Sequence, residues 1–198
     1  MKKPAHPAEA ARRRDAEATR EAILISARKA FARSGYDGAG LREIAAEAGV
    51  TAMMVNRYFG SKERLFAEVI EQTMTQGSLI AGGIFDQPSS GRALAEALMK
   101  LTRAHDTPLD GFLITLHSAS SPLAAEIGRD KISTHHLKTT TKALRGKHRA
   151  ERAALILAMI SGLQVMRQMI ALPALADANE HDLAELLTGV FNQLIDPS

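Results

Sequence analysis

Two short helix-forming runs, Leu41–Ala48 and Thr51–Phe59, are joined through Gly49 and Val50, and no other feature of the chain restricts its fold so tightly. Glycine is the residue type that ends a helix in left-handed backbone without a steric penalty, so Gly49 marks a sharp turn. Thr51 stands where its hydroxyl can cap the second run. Ile44, Ala45, Ala48, Val50, Val55 and Phe59 are spaced to pack the two helices on each other and on the helix before them. The small side chains of Ala45 and Ala48 allow close approach of the axes. A helix-turn-helix over residues 41–59 is expected, the arrangement that lays a short second helix into a DNA major groove.

The flanking sequence is helical too. Ile23, Leu24, Ala27 and Phe31 form a 3.6-residue stripe, with Thr19 as a plausible cap and Gly35 at the stop. A fourth helix is expected after Ser61, starting with Leu65, Phe66, Val69 and Ile70. Further helices are expected at 90–105, 109–118, 122–145, 148–171 and 180–195, punctuated by Gly82-Gly83, Pro88, Thr107-Pro108, Pro122, Gly146 and Pro173. No strand pattern is found, aromatics are only 4% and Trp is absent, so an all-α fold is expected.

Charge supports a polyanionic partner. Residues 1–80 hold 13 Lys+Arg against 10 Asp+Glu, and the remainder is balanced at 12 of each. Residues 1–17 lack apolar periodicity and read as a flexible basic arm carrying Lys2, Lys3, Arg12, Arg13 and Arg14. With no Cys, disulfides and thiol redox chemistry are excluded. No apolar run approaches the roughly 20 residues that span a bilayer, and no secretory signal follows Met1, so a cytoplasmic location is expected. Nucleophile-elbow, phosphate-loop, dinucleotide and metal-pair motifs are all missing; neither an enzyme nor a cofactor nor a metal is expected. His135 and His136 are adjacent, which is the wrong spacing for two ligands on one helix face.

The stretch from Ile23 through Phe31-Ala32-Arg33-Ser34-Gly35-Tyr36, Leu41-Arg42-Glu43-Ile44-Ala45-Ala46-Glu47-Ala48-Gly49-Val50-Thr51 and Tyr58-Phe59-Gly60-Ser61-Lys62-Glu63-Arg64-Leu65-Phe66 resembles the DNA-binding domain of the tetracycline-repressor family. The resemblance implies a three-helix DNA-binding domain over 18–78 and a larger helical ligand-binding and dimerisation domain over 79–198. It implies that Thr51 and Ala52 begin the recognition helix, that Arg42, Asn56 and Arg57 belong to the DNA-facing set, and that Tyr58 and Lys62 contact phosphates. The residue chemistry agrees: Asn pairs bidentately with adenine and Arg with guanine, whereas Lys and Tyr position without reading sequence. Two positions depart from the family pattern, Asn56 where Tyr is usual and Gly40 where Ser or Thr is usual. Met53 and Met54 are bulkier than usual, suited either to a thymine methyl or, for Met54 more readily, to the core.

For the second half the resemblance implies a homodimer, an operator as DNA partner, an unknown small-molecule effector and no membrane partner. Leu155, Ile156, Ile160, Leu183, Leu187, Val190, Phe191 and Leu194 are the expected dimer stripe, shared in part with the internal core. Met99, Phe112, Leu116, His117, Met159, Leu163 and Met166 are the expected pocket walls, methionine being adaptable to varied apolar ligands. Arg103, Gln164, Arg167, His135 and His136 are candidate polar anchors. The alternative is a helical small-molecule-binding or interaction module without DNA binding, for which Arg57, Tyr58 and Lys62 would be incidental.

Overall fold

A computed structural model describes residues 7–75, 79–80, 83–103 and 109–197, with side chains from Arg13 onward; among these every regular element is helical. The chain forms two compact units. One takes residues up to Gln72 together with Asp110–Gly128, and the other takes Thr73–Leu109 together with the chain from Arg129 onward. A single boundary near residue 78 is the expectation; by contacts within the chain, residues 110–128 group with the first unit.

In the first unit, α1 (Pro7–Gly38) begins far earlier than the periodicity suggests. Residues 7–17 are therefore helix and not a flexible arm, while Lys2, Lys3 and the Arg12 side chain lie outside the described residues. The run PAEAARRRDAEA is built from strong helix formers, with proline tolerated in the first turn. It has no apolar stripe, and residues 13–18 are exposed, which is why periodicity overlooks it. Thr19 is no cap either: its hydroxyl donates to the Asp15 carbonyl at 2.8 Å, a mid-helix back-bond. Gly35 (φ 66, ψ −176) breaks the helical path, a conformation open almost only to glycine.

Helices α2 (Leu41–Glu47), α3 (Ala52–Phe59) and α4 (Lys62–Thr75) follow. Their core is Ile23, Leu24, Phe31, Ile44, Val55, Leu65, Phe66, Val69 and Ile70, all essentially inaccessible to solvent. Phe66 receives the edge contacts of Phe31 and Tyr36, each with ring centroids 5.0 Å away. Such pairs add to area burial because ring edges are positive and faces negative.

Helix α6 (Asp110–His117) completes this unit by packing along α1. Asp110 pairs with Arg28 at 3.3 Å. At the other end His117 Nδ1 lies 2.7 Å from the Ala32 carbonyl oxygen, which can only accept, so the ring donates. The buried Ser118 hydroxyl accepts from the Tyr36 amide at 2.9 Å, and Ser121 donates to Asp37 at 3.2 Å. A side chain on Gly35 would collide with the His117 carbonyl. His117 through Ser121 thus grips the end of α1.

The chain passes into the second unit within α7 (Pro122–Ile132), whose line continues through a π-helical turn (Ser133–Leu137) into α8 (Lys138–Ala143). Helix α9 (Arg149–Leu163) likewise ends in a π-helical turn (Gln164–Met169), so the two long helices expected at 122–145 and 148–171 are each interrupted. After the short α10 (Pro173–Ala176), α11 (Glu180–Ile195) packs antiparallel to α5 (Ser90–Leu101): Gly91 abuts Asn192 at one end and Arg103 meets Glu180 at the other. Leu94, Leu98, Ile156, Ile160, Leu187 and Phe191 fill the core between them. Arg152, also buried, donates to the Leu194 and Ile195 carbonyls at 2.8 and 3.2 Å, capping the open C-terminal end of α11.

Candidate nucleic-acid interface

The turn between α2 and α3 is built as the residue types dictate. Gly49 sits at φ 69, and the Val50 amide reaches back to the Ala45 carbonyl at 2.9 Å, closing the end of α2. The Thr51 hydroxyl accepts from the Met54 amide at 3.3 Å and caps α3. Helix α3 then spends Val55 and Phe59 on the core, which turns Asn56 and Arg57 outward. Met53 is 81% exposed, and Met54 is at the surface as well and not in the core, because Val55 already fills the inward position. Thr51 is exposed, Ala52 and Tyr58 half-buried.

Charge pairing separates structural cations from available ones. Arg20 pairs with Glu68 and lies over the Phe59 ring, Arg33 pairs with Glu43, Lys29 with Glu47 and Arg28 with Asp110. The exposed side chains of Arg42, Arg57 and Arg64 form no hydrogen bond or ion pair among the described residues. All three belong to α2, α3 and the first turn of α4. Arg64 was not among the sequence candidates; it stands against Gly60, the turn that ends α3, a neighbourhood that spacing alone does not reveal. Lys62 is half-buried, its ammonium 4.6 Å from the centre of the Tyr36 ring, which positions the charge without neutralising it. An eight-residue helix is about 12 Å long and matches a major groove about 12 Å wide.

Tyr36 anchors this surface from beneath, its hydroxyl donating to Glu63 at 2.9 Å. Burial, reinforced by that carboxylate, pushes the phenol up to about 12. Glu63 is held below the usual carboxylate range, first by the Ser61 hydroxyl, then by its own amide and by Tyr36. The folded state therefore favours the neutral phenol. That stabilisation is complete below the unfolded value near 10 and is lost as pH rises from about 10 towards 12. Equilibrium denaturation should show stability declining over this alkaline window, and Tyr36→Phe should flatten the decline.

The remaining sequence candidates divide between the units. Phe112, Leu116 and His117 belong to α6 in the first unit, Met99, Met159, Leu163 and Met166 to the second. His117 is engaged with Ala32 and is not a free pocket anchor. Met159 and Leu163 pack against the second core, while Met166 is exposed. A groove of about 440 Å³ lies between α5 and α11, and of the expected walls only Met99 reaches it. Of the expected dimer stripe, Ile156, Ile160, Leu183, Leu187 and Phe191 are buried in the chain's own core and Leu194 packs beside them, which corrects their assignment to a contact surface. Leu155 (53% exposed) and Val190 (43%) remain outside, joined by Leu186 (72%) of the same helix 180–195 stripe.

Two family models match the chain. Residues 23–69 match the N-terminal model of bacterial regulatory proteins of the tetR family, and residues 89–195, more than half of the chain, match the tetracyclin repressor-like C-terminal domain. The chain belongs to the tetracycline-repressor family. Within this family it is similar to the HTH-type transcriptional repressor SCO4008 of Streptomyces coelicolor, 44% identical over 61 residues, which are 31% of this chain and 32% of that protein. The chain thus matches about a third of the length of that curated relative. Among solved structures, a transcriptional regulator from Rhodococcus sp. Rha1 is 25% identical with TM-score 0.63, covering 88% of this chain and 96% of that one. AibR, crystallised with isovaleryl coenzyme A and operator DNA, shares the tetracycline-repressor fold at 18% identity and TM-score 0.60, covering 91% of this chain and 100% of its own.

Proposed function

We propose that this tetracycline-repressor family member is a homodimeric transcriptional repressor that reads a palindromic operator with α3 and is released by a small molecule. The observation that carries the reading is a set of cations that, among the described residues, have no acid partner: three exposed guanidiniums gathered around a helix-turn-helix whose neighbouring cations are nearly all neutralised. Water alone is a poor reason to hold such charges together, whereas a phosphate backbone attracts them strongly. Arg57 and Asn56 read base edges in this scheme; Arg42, Tyr58, Lys62 and Arg64 hold phosphates, and Thr51 and Ala52 set the entry of α3.

Dimerisation supplies what one short helix lacks. Two-fold pairing presents α3 to two half-sites, and the exposed Leu155, Leu186 and Val190 on α9 and α11 offer the apolar contact. Leu186→Glu should convert the dimer to the 21.3 kDa monomer in size-exclusion chromatography and weaken operator binding by about 100-fold or more, as bivalency is lost. A ligand releases DNA only if it binds the released state more tightly, so the effector must discriminate between two conformations. AibR provides a precedent for an effector and an operator on one such fold. No helix among the described residues is long and apolar enough to cross a membrane, in keeping with action on cytoplasmic DNA. Selection of duplexes from a random pool, followed by titration at several salt concentrations, tests the reading. A palindromic consensus with a steep salt dependence is expected; absence of any salt-sensitive duplex binding overturns it.

A further inference from the structure

Met53 is 81% exposed, more than any other large hydrophobic side chain among the described residues. Single apolar side chains on a surface are ordinary, so exposure alone assigns nothing. Its place on α3 does. Val55 and Phe59 take the inward face of that helix. Met53 and Arg57, one turn apart, share the opposite face, with Asn56 beside both. The methionine therefore stands against the two polar residues that read base edges in the proposed scheme. It is also the second residue of α3, and the N-terminal residues of a recognition helix are those that reach base edges.

What a methionine does at that place follows from its chemistry. It has no donor and only a weak acceptor, so it offers little to the hydrogen-bonding edges of guanine, adenine or cytosine. In the major groove the one apolar group that a base pair presents is the C5 methyl of thymine. We infer that Met53 is a specificity residue whose thioether chain closes on a thymine methyl in each operator half-site. The contact removes both apolar groups from water, whereas a G·C pair at the same step would leave polar edges dehydrated without partners. Thymine is thus selected both by attraction to its methyl and by the penalty on the alternatives. One helical turn rises about 5.4 Å and successive base pairs stand about 3.4 Å apart, so the thymine lies one or two base pairs from the guanine that Arg57 holds. The unbranched, flexible side chain meets the methyl without moving Arg57. The inference rests on the operator reading of the preceding section and adds a base that hydrogen bonds alone do not select.

Deoxyuridine scanning of the selected operator, read by gel-shift titration of the full chain, tests the contact. Uracil pairs as thymine does and lacks only the C5 methyl. Replacing the contacted thymine in both half-sites should weaken binding about tenfold, or about three- to fourfold per half-site, the worth of one buried methyl group. Met53→Ala is an exposed change to a better helix former, so folding is not at risk. That variant should bind the thymine and uracil duplexes equally. Met53→Leu should keep the difference, and Met53→Gln, of similar length but polar, should lose it. With cytosine at the contacted position, 5-methylation should recover part of the affinity for the unaltered protein and none for Met53→Ala. Three results overturn the inference and leave the operator reading standing: indifference to uracil at every thymine, a consensus half-site without thymine, or a thymine preference that survives Met53→Ala unchanged. If no duplex is bound in a salt-sensitive way, the operator reading falls and this inference falls with it.

Discussion

Replacing Gly35 with alanine should destabilise the chain by about 3 kcal/mol or more. An extended ψ at positive φ is closed to a residue with a side chain, and forcing one into it costs on the order of 1–3 kcal/mol before any contact is considered. The added methyl would also overlap the backbone carbonyl of His117, which cannot swing away as a side-chain tip can. The two costs compound, because relieving the backbone by moving α6 would break the His117, Ser118 and Ser121 bonds to α1. Urea denaturation followed by circular dichroism reads the loss. His117→Ala separates the contributions: it removes one hydrogen bond and should cost only about 1 kcal/mol. Equal losses for the two variants would mean that the ring, and not the glycine backbone, holds this junction.

The second large effect is expected at the DNA surface. Arg57→Ala should cost about 1–3 kcal/mol at the selected operator, roughly 5- to 150-fold in affinity, and should relax base preference at one position of each half-site. Nonspecific affinity should hardly change. Lys62→Ala should behave oppositely, weakening specific and random duplexes alike and reducing the salt slope by about one, since a phosphate contact releases counterions without reading sequence. Arg64→Ala should follow Lys62. Gel-shift titrations over a salt series, with operator and scrambled duplexes in parallel, distinguish the two patterns. Matching profiles for Arg57→Ala and Lys62→Ala would refute this division of roles.

The parts of the molecule read correctly from the chain are those governed by local rules. Gly49 and Thr51 act through their own backbone and the next turn, so the helix-turn-helix follows from spacing and residue type, as do the start of α5 and both ends of α6 and α11. The N-terminal half of α1 was hidden for a related reason: its helicity comes from propensity, without the buried stripe that periodicity detects. What local rules miss is decided by residues far apart in sequence. Ser118 and Ser121 look like a helix break in Ser-Ala-Ser-Ser-Pro, and only the approach of α1 makes them hydrogen-bond partners. A leucine or isoleucine in α9 or α11 has the same spacing whether it faces its own core or a second copy; burial alone separates Ile156 from Leu155 and Leu187 from Leu186. Arg103 and Arg167 were visible as polar side chains, but nothing in their spacing places them both on Glu180.

The assignment of residues 110–128 to the unit that carries the helix-turn-helix has a practical consequence for anyone recombining such regulators. A fragment ending near residue 78 would lack the partner of α1, leaving the Tyr36 amide without its acceptor, Arg28 without its ion-pair partner Asp110, and baring the surface that Ile114 covers. Transplanting the DNA specificity of this protein onto another sensor therefore calls for two grafted segments, the first through Gln72 and the second from Asp110 to Gly128, and chimeras joined at one seam should express poorly.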